Sequence, residues 1–205
     1  VNKKANVSKQ IQNVFNVLTA QILRVPQGLY FSKNHTWVHL DKNGEAKIGL
    51  DDFLNRIVGE VEVNQLKLPG ELIRKGDIVA EINQNGKQLF VTSPISGEIA
   101  SINTPVSENP ELLNDDPYEK GWFYSLIPNN WKTETSGFYL AEDATNWISQ
   151  ELERFKDFLI VSLASNSQGK AMVALQEGGE LRINPLAELQ PEIWEDFQKE
   201  FLIQQ

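Results

Sequence analysis

No cysteine occurs among the 205 residues. That absence removes disulfides, thiolate nucleophiles, Cys-ligated zinc and iron–sulfur clusters from the chain's chemistry. Histidine is nearly as scarce, with only two, His35 and His39. A pair four apart suits a metal when both sit on one helix face beside further ligands. Here they fall on a predicted strand and its flank, with Asp41 the nearest carboxylate. No metal site is expected, and His35 reads as a structural residue. Basic side chains are outnumbered, 19 Lys and Arg against 28 Asp and Glu, for a net charge of −9. That balance argues against nucleic acid and against an anionic membrane surface as partners. No apolar run approaches the ~20 residues of a membrane span. The expectation is a soluble, cytoplasmic chain whose partners are other proteins, with its oligomeric state unspecified. The chain opens on Val1 rather than on methionine, so what precedes it is left open.

Catalytic patterns are missing as well. There is no G-x-G-x-x-G and no Walker A motif, and Gly178-Gly179 lies between two predicted strands rather than before a helix. The acidic pairs Asp51-Asp52, Asp115-Asp116 and Glu142-Asp143 are sequence neighbours. Neighbouring carboxylates rarely converge on one cleft, as acid–base work requires. No Ser/His/Asp set can be assembled with any specificity. No catalytic residue is expected, and the chain is read as a non-enzyme.

What is present is a succession of short elements. Val7, Ile11, Val14, Phe15, Leu18, Ile22 and Leu23 have helical spacing, which predicts a helix over 5–24 ended by Pro26-Gln-Gly28. From Leu29 the period changes to two. Trp37, Val38 and Leu40 precede the loop Asp41-Lys-Asn-Gly44, and Ala46, Ile48 and Leu50 follow it. Asp51 is placed to cap a short helix over 52–58, stopped by Gly59. Further short strands with glycine at the corners run to Trp122, Tyr124 and Leu126, which predicts a small barrel or flattened sandwich. After a linker near Asn130, Ala144, Trp147, Ile148, Leu152 and Phe155 predict an amphipathic helix. Phe158 to Leu163 reads as a buried strand, two more strands flank Gly178-Gly179, and a last helix carries Ile193, Trp194, Phe197, Phe201 and Leu202. The expected architecture is mainly β with an N-terminal helix and a C-terminal α-β-β-β-α unit. Its segments are 1–28, 29–130 and 131–205.

One stretch stands out. Val79–Ile82 and Leu89–Val91 flank Asn85-Gly86, the strongest short hairpin signal, because a type I′ turn needs positive φ at both central residues. Lys87 follows at the tip, where its side chain is expected in solvent.

Several motifs carry a resemblance. Tyr30-Phe-Ser-Lys-Asn-His-Thr-Trp37, Ile48-Gly-Leu-Asp-Asp-Phe53, Ser93-Pro-Ile-Ser-Gly97 and Asn114-Asp-Asp-Pro-Tyr-Glu-Lys-Gly-Trp122 stand in order over roughly half the chain. In this respect residues 29–128 resemble glycine cleavage system H proteins, relatives of the lipoyl domains. The resemblance implies a barrel-sandwich hybrid with a projecting hairpin. It also implies a lysine amidated by lipoate, partners in a glycine decarboxylase, an aminomethyl transferase and a lipoamide dehydrogenase, and a cleft that shelters the loaded arm. The family's carrier lysine lies ten residues after the glycine matched by Gly76 and eight before the proline matched by Pro94. Both counts reach Gly86, and the motif glutamate falls on Asn83. The family pattern therefore has no amine at its carrier position here. The expectation is a non-lipoylated interaction or scaffold module with no cofactor. The alternative is a lipoyl carrier modified on Lys87, one residue along; a one-residue slip turns a strand side chain to the other face.

Overall fold

The structure, a computed structural model, describes residues 17–165 and 181–203. Strands β1 (Tyr30–Phe31), β2 (Thr36–Leu40) and β3 (Ala46–Leu50) open the fold. The β2–β3 loop closes where Asp41 N donates to the Glu45 carbonyl at 2.8 Å, with Gly44 at φ 88°. Helix α1 (Asp52–Val58) has the expected bounds. The Asp51 carboxylate accepts from Leu54 N at 2.8 Å, meeting one of the helix's otherwise unpaired amides, and Gly59 at φ 77° ends it. Strands β4 (Glu62–Gln65), β5 (Leu72–Ile73), β6 (Ile78–Gln84), β7 (Lys87–Thr92) and β8 (Gly97–Ile102) follow. Two short helices, α2 (Thr104–Glu108) and α3 (Leu112–Asp115), lead to β9 (Trp122–Pro128).

All strand pairs are antiparallel, in a six-stranded sheet ordered β1-β2-β3-β9-β8-β5 and a three-stranded sheet ordered β4-β6-β7. The result is an open, sandwich-like arrangement rather than a closed barrel. Trp37, Ile48, Phe53, Ile82, Leu89 and Tyr124 are buried between the layers. Tyr124 also ties the sheets together, donating from its hydroxyl to the Val79 carbonyl at 2.8 Å and accepting from Lys67 N at 3.0 Å.

Helices α4 (Trp131–Thr135), α5 (Ala141–Ser165) and α6 (Pro191–Phe197) complete the described chain, with α6 running into a π turn over Gln198–Leu202. Here the structure corrects the sequence reading. The stretch 158–163, expected as a strand, belongs to the 25-residue α5. Leu159 and Leu163 continue the buried face set by Leu152 and Phe155, while Val161 points out at 66% exposure. An unbroken apolar run hid a helical period whose solvent face happens to carry a valine. The expected α-β-β-β-α order therefore loses its first strand. The hairpin expected around Gly178-Gly179 lies outside the described residues, as does the start of the expected N-terminal helix. The described end of that helix is only a 3₁₀ turn, Ala20–Ile22, and Val17 forms an isolated antiparallel bridge with Arg182. The expected final helix is present, and its five apolar residues are all buried. Sheets, α5 and α6 share one buried apolar cluster.

Candidate functional site

The β6–β7 hairpin pairs Gln84 with Lys87 and Asn83 with Gln88. Asn85 and Gly86 take φ of 50° and 79°, the two positive values of the expected tight turn. Gly86 is exposed, and a Cβ added there would meet nothing within 4 Å. Asn83 is half-buried and lines a cleft with Glu60, Glu62, Gln84, Asn85 and Asn184.

Lys87 is not in solvent. It is 8% exposed, in phase with the buried Leu89 and Val91 along β7. Strand alternation turns all three to one face. Its Nζ donates to the Ala187 carbonyl at 2.5 Å and to those of Leu186 and Leu189 at 3.4 Å. The same ammonium stands over the Trp194 ring, 4.8 Å from its centroid. Burial lowers the lysine's pKa from its ordinary value.

The acceptor carbonyls come from a 3₁₀ turn, Pro185–Glu188, and its cap Leu189. Two further contacts hold this region against the hairpin side of the fold. Asn184 N donates to the Arg56 carbonyl at 2.7 Å. The Gln198 side chain accepts from Phe90 N at 2.6 Å and donates to the Phe90 carbonyl at 3.2 Å, filling a backbone pair on the free edge of β7. The sequence held a clue to the lysine's placement in the phase of Lys87, Leu89 and Val91. Its partners, about a hundred residues away, carried no local signal.

His35 is fully buried. Its Nδ1 lies 2.8 Å from Asp51 Oδ2 and its Nε2 3.4 Å from Glu151 Oε2. Its ring stacks on Phe53 at 4.5 Å and on Trp147 at 5.2 Å. Burial alone would lower its pKa, but the Asp51 charge and hydrogen bond, with the Glu151 carboxylate facing Nε2, raise it from 6.5 to about 9. Arg154 Nη1 donates to both oxygens of Glu151, at 2.8 Å to Oε1 and at 2.6 Å to the Oε2 that faces His35. This buried cation fastens α5 to the start of α1. His39 is apart from it and half-exposed, 3.2 Å from Asp41. Among the described residues no group of three His, Asp or Glu could hold a metal.

The Asp51-Asp52 and Asp115-Asp116 pairs are likewise structural, while Glu142 and Asp143 are exposed in the first turn of α5. Asp52 is buried and takes bonds from Arg24 N, Nε and Nη2 and from Arg56 Nε. Tyr118, from the Asp-Asp-Pro-Tyr loop, accepts from Asp52 N at 2.9 Å and donates to the Arg24 carbonyl at 2.6 Å. The loop thus locks the lead-in segment onto α1.

Comparison with known proteins fits this geometry. A family model described as Glycine cleavage H-protein matches residues 29–151. A probable glycine cleavage system H protein of Thermococcus kodakarensis is 34% identical over 111 residues, 54% of this chain and 82% of that one. The glycine cleavage system H protein of Hydrogenovibrio crunogenus is 32% identical over 106 residues, covering 52% of this chain and 82% of its own length. Among solved structures, a glycine cleavage system H protein from Mycobacterium marinum superposes with a TM-score of 0.53 at 23% identity, over 60% of this chain and 98% of that one. That last likeness speaks for the fold. With the family match covering more than half its length, the chain belongs to the glycine cleavage H-protein family.

Proposed function

We propose that this chain is a non-catalytic H-protein module that carries no lipoate and acts by binding other proteins in the cytoplasm. In this reading residues 29–130 form the H-like body, and the flanking segments 1–28 and 131–205 add surface to it. Lipoate does not fit the residues present, because the carrier position is Gly86, which has no amine, and the motif glutamate is replaced by Asn83. The observation that carries the reading is the ammonium of Lys87, the one nearby lysine, held by three carbonyls and the Trp194 face. An amine must leave those acceptors before it can enter a ligase active site.

The second reading is a lipoyl carrier of the glycine cleavage type, modified on Lys87. The names of its relatives favour it. Intact mass of protein co-expressed with a lipoyl ligase and lipoate separates the two. We expect the unmodified mass; one lipoyl amide, lost in Lys87→Ala, overturns the first reading in favour of the second.

A further inference from the structure

The chain covers most of its own sheet edges. Phe31 of β1 exchanges two backbone bonds of 2.9 Å with Tyr139. Gln198 fills the Phe90 edge of β7. Helix α2 lies against β4, where the Ser107 hydroxyl donates to the Gln65 side chain at 2.8 Å. The remaining edge, β5, ends the large sheet, and among the described residues nothing pairs with its outer side. At two residues β5 is too short to recruit another strand, but large exposed apolar side chains clustered on it and beside it mark a contact surface.

The side chains there support this. Leu72 pairs with Glu98, and Glu98 pairs with Ile127, so the three form one row across β5, β8 and β9 on one face of the sheet. Leu72 is 76% exposed and Ile127 53%, and Leu68 in the turn before β5 is 66% exposed. Glu98, between the two aliphatics, is exposed and makes no ion pair among the described residues. The patch is therefore apolar with one free carboxylate at its centre, on a chain of net charge −9.

We propose that the Leu68–Leu72–Glu98–Ile127 face docks a basic, amphipathic segment of another protein. The segment's apolar side chains cover the three aliphatics, and a Lys or Arg among them meets Glu98. Charge favours this occupant: an acidic segment would set like charges together at Glu98, and two copies of a chain of net charge −9 repel each other. The proposal rests on the reading of the chain as a binding module and specifies where it binds.

The test is a titration of the full ¹⁵N-labelled chain with a synthetic Leu/Lys amphipathic helical peptide and with its Leu/Glu counterpart. We expect amide shifts centred on residues 68–74, 97–99 and 126–128 with the basic peptide only. Leu72→Asp and Glu98→Lys should each weaken that binding about tenfold or more. Both side chains are exposed, so both variants should stay folded, with a slightly lower melting temperature for Leu72→Asp, whose new carboxylate stands opposite Glu98. Shifts centred away from that face, equal binding of both peptides, or undiminished binding by a folded Glu98→Lys variant would overturn the proposal. So would sedimentation showing a dimer that Leu72→Asp dissolves. Lipoylation in the intact-mass experiment would remove the module reading itself, whereas failure of the titration alone removes only this surface.

Discussion

Lys87 and Trp194 share an acceptor. The indole Nε1 donates to the Leu186 carbonyl at 2.8 Å, and the Lys87 ammonium, above the face of the same ring, reaches that carbonyl at 3.4 Å. Lysine, turn and helix α6 thus form one unit, and a change to any of them is felt by the other two.

Lys87→Met keeps the apolar stem and removes the charge. It strands the Ala187 and Leu189 carbonyls, while Leu186 keeps its indole donor. The expected cost is about 1 kcal/mol in urea unfolding, the low end for acceptors left unpaired, because Ala187 and Leu189 are only half-buried. Hydrogen exchange should quicken from residue 184 onward, with the β2–β3 hairpin unchanged. A variant as stable as the parent would show the ammonium to be a bystander.

Gly86→Lys combined with Asn83→Glu puts the family's residue types back at the motif positions. The new Cβ enters open space, at a φ of 79° that costs an L-residue about 1–2 kcal/mol. Co-expressed with a lipoyl ligase, the double variant should gain one lipoyl amide while the parent gains none. If the folded double variant stays unmodified, the missing lysine is not what prevents attachment.

The pH dependence follows from His35. Its pKa is raised in the folded chain, so its contribution is complete below the unfolded value of 6.5 and disappears as pH climbs through about 9. The shift corresponds to about 3 kcal/mol lost across that window. Glu151 acts in the opposite sense. Although burial would raise its pKa, His35 and Arg154 lower it below 4.5, so its contribution is present above 4.5 and fades as pH falls through the folded value. The pair is most stabilising between pH 4.5 and 6.5. Calorimetry should show the melting temperature falling from pH 6.5 to 9, and His35→Gln should flatten that fall.

Asp52→Ala removes the carboxylate that takes three bonds from Arg24 and one from Arg56. A cost of about 2–3 kcal/mol is expected, less than for a fully buried pair because both arginines reach water. Chemical unfolding measures it, and proteolysis near residue 24 should accelerate as the lead-in segment loosens.

Much of this fold was legible because its signals are local. Asp51 and Gly59 bracket α1, Asn85-Gly86 sets the turn, and apolar residues at every second position mark β3 and β9. The caging of Lys87 depends on contacts across about a hundred residues, where propensity is silent. Helix α5 was misread over 158–163 because a short apolar run fits a strand or a helix equally well, and only its packing face distinguishes them.

The place of Trp147 and Glu151 against His35 also bears on modularity. Cutting the chain after Pro128, near the length of a typical relative, would strip one face from the imidazolium and one of its two carboxylates. It would also bare Phe53, which packs on Phe155 and Phe201. The sheets and the helices after residue 128 share one apolar cluster. The whole described chain is therefore expected to melt as one cooperative unit, with a shortened version a damaged protein rather than a minimal one.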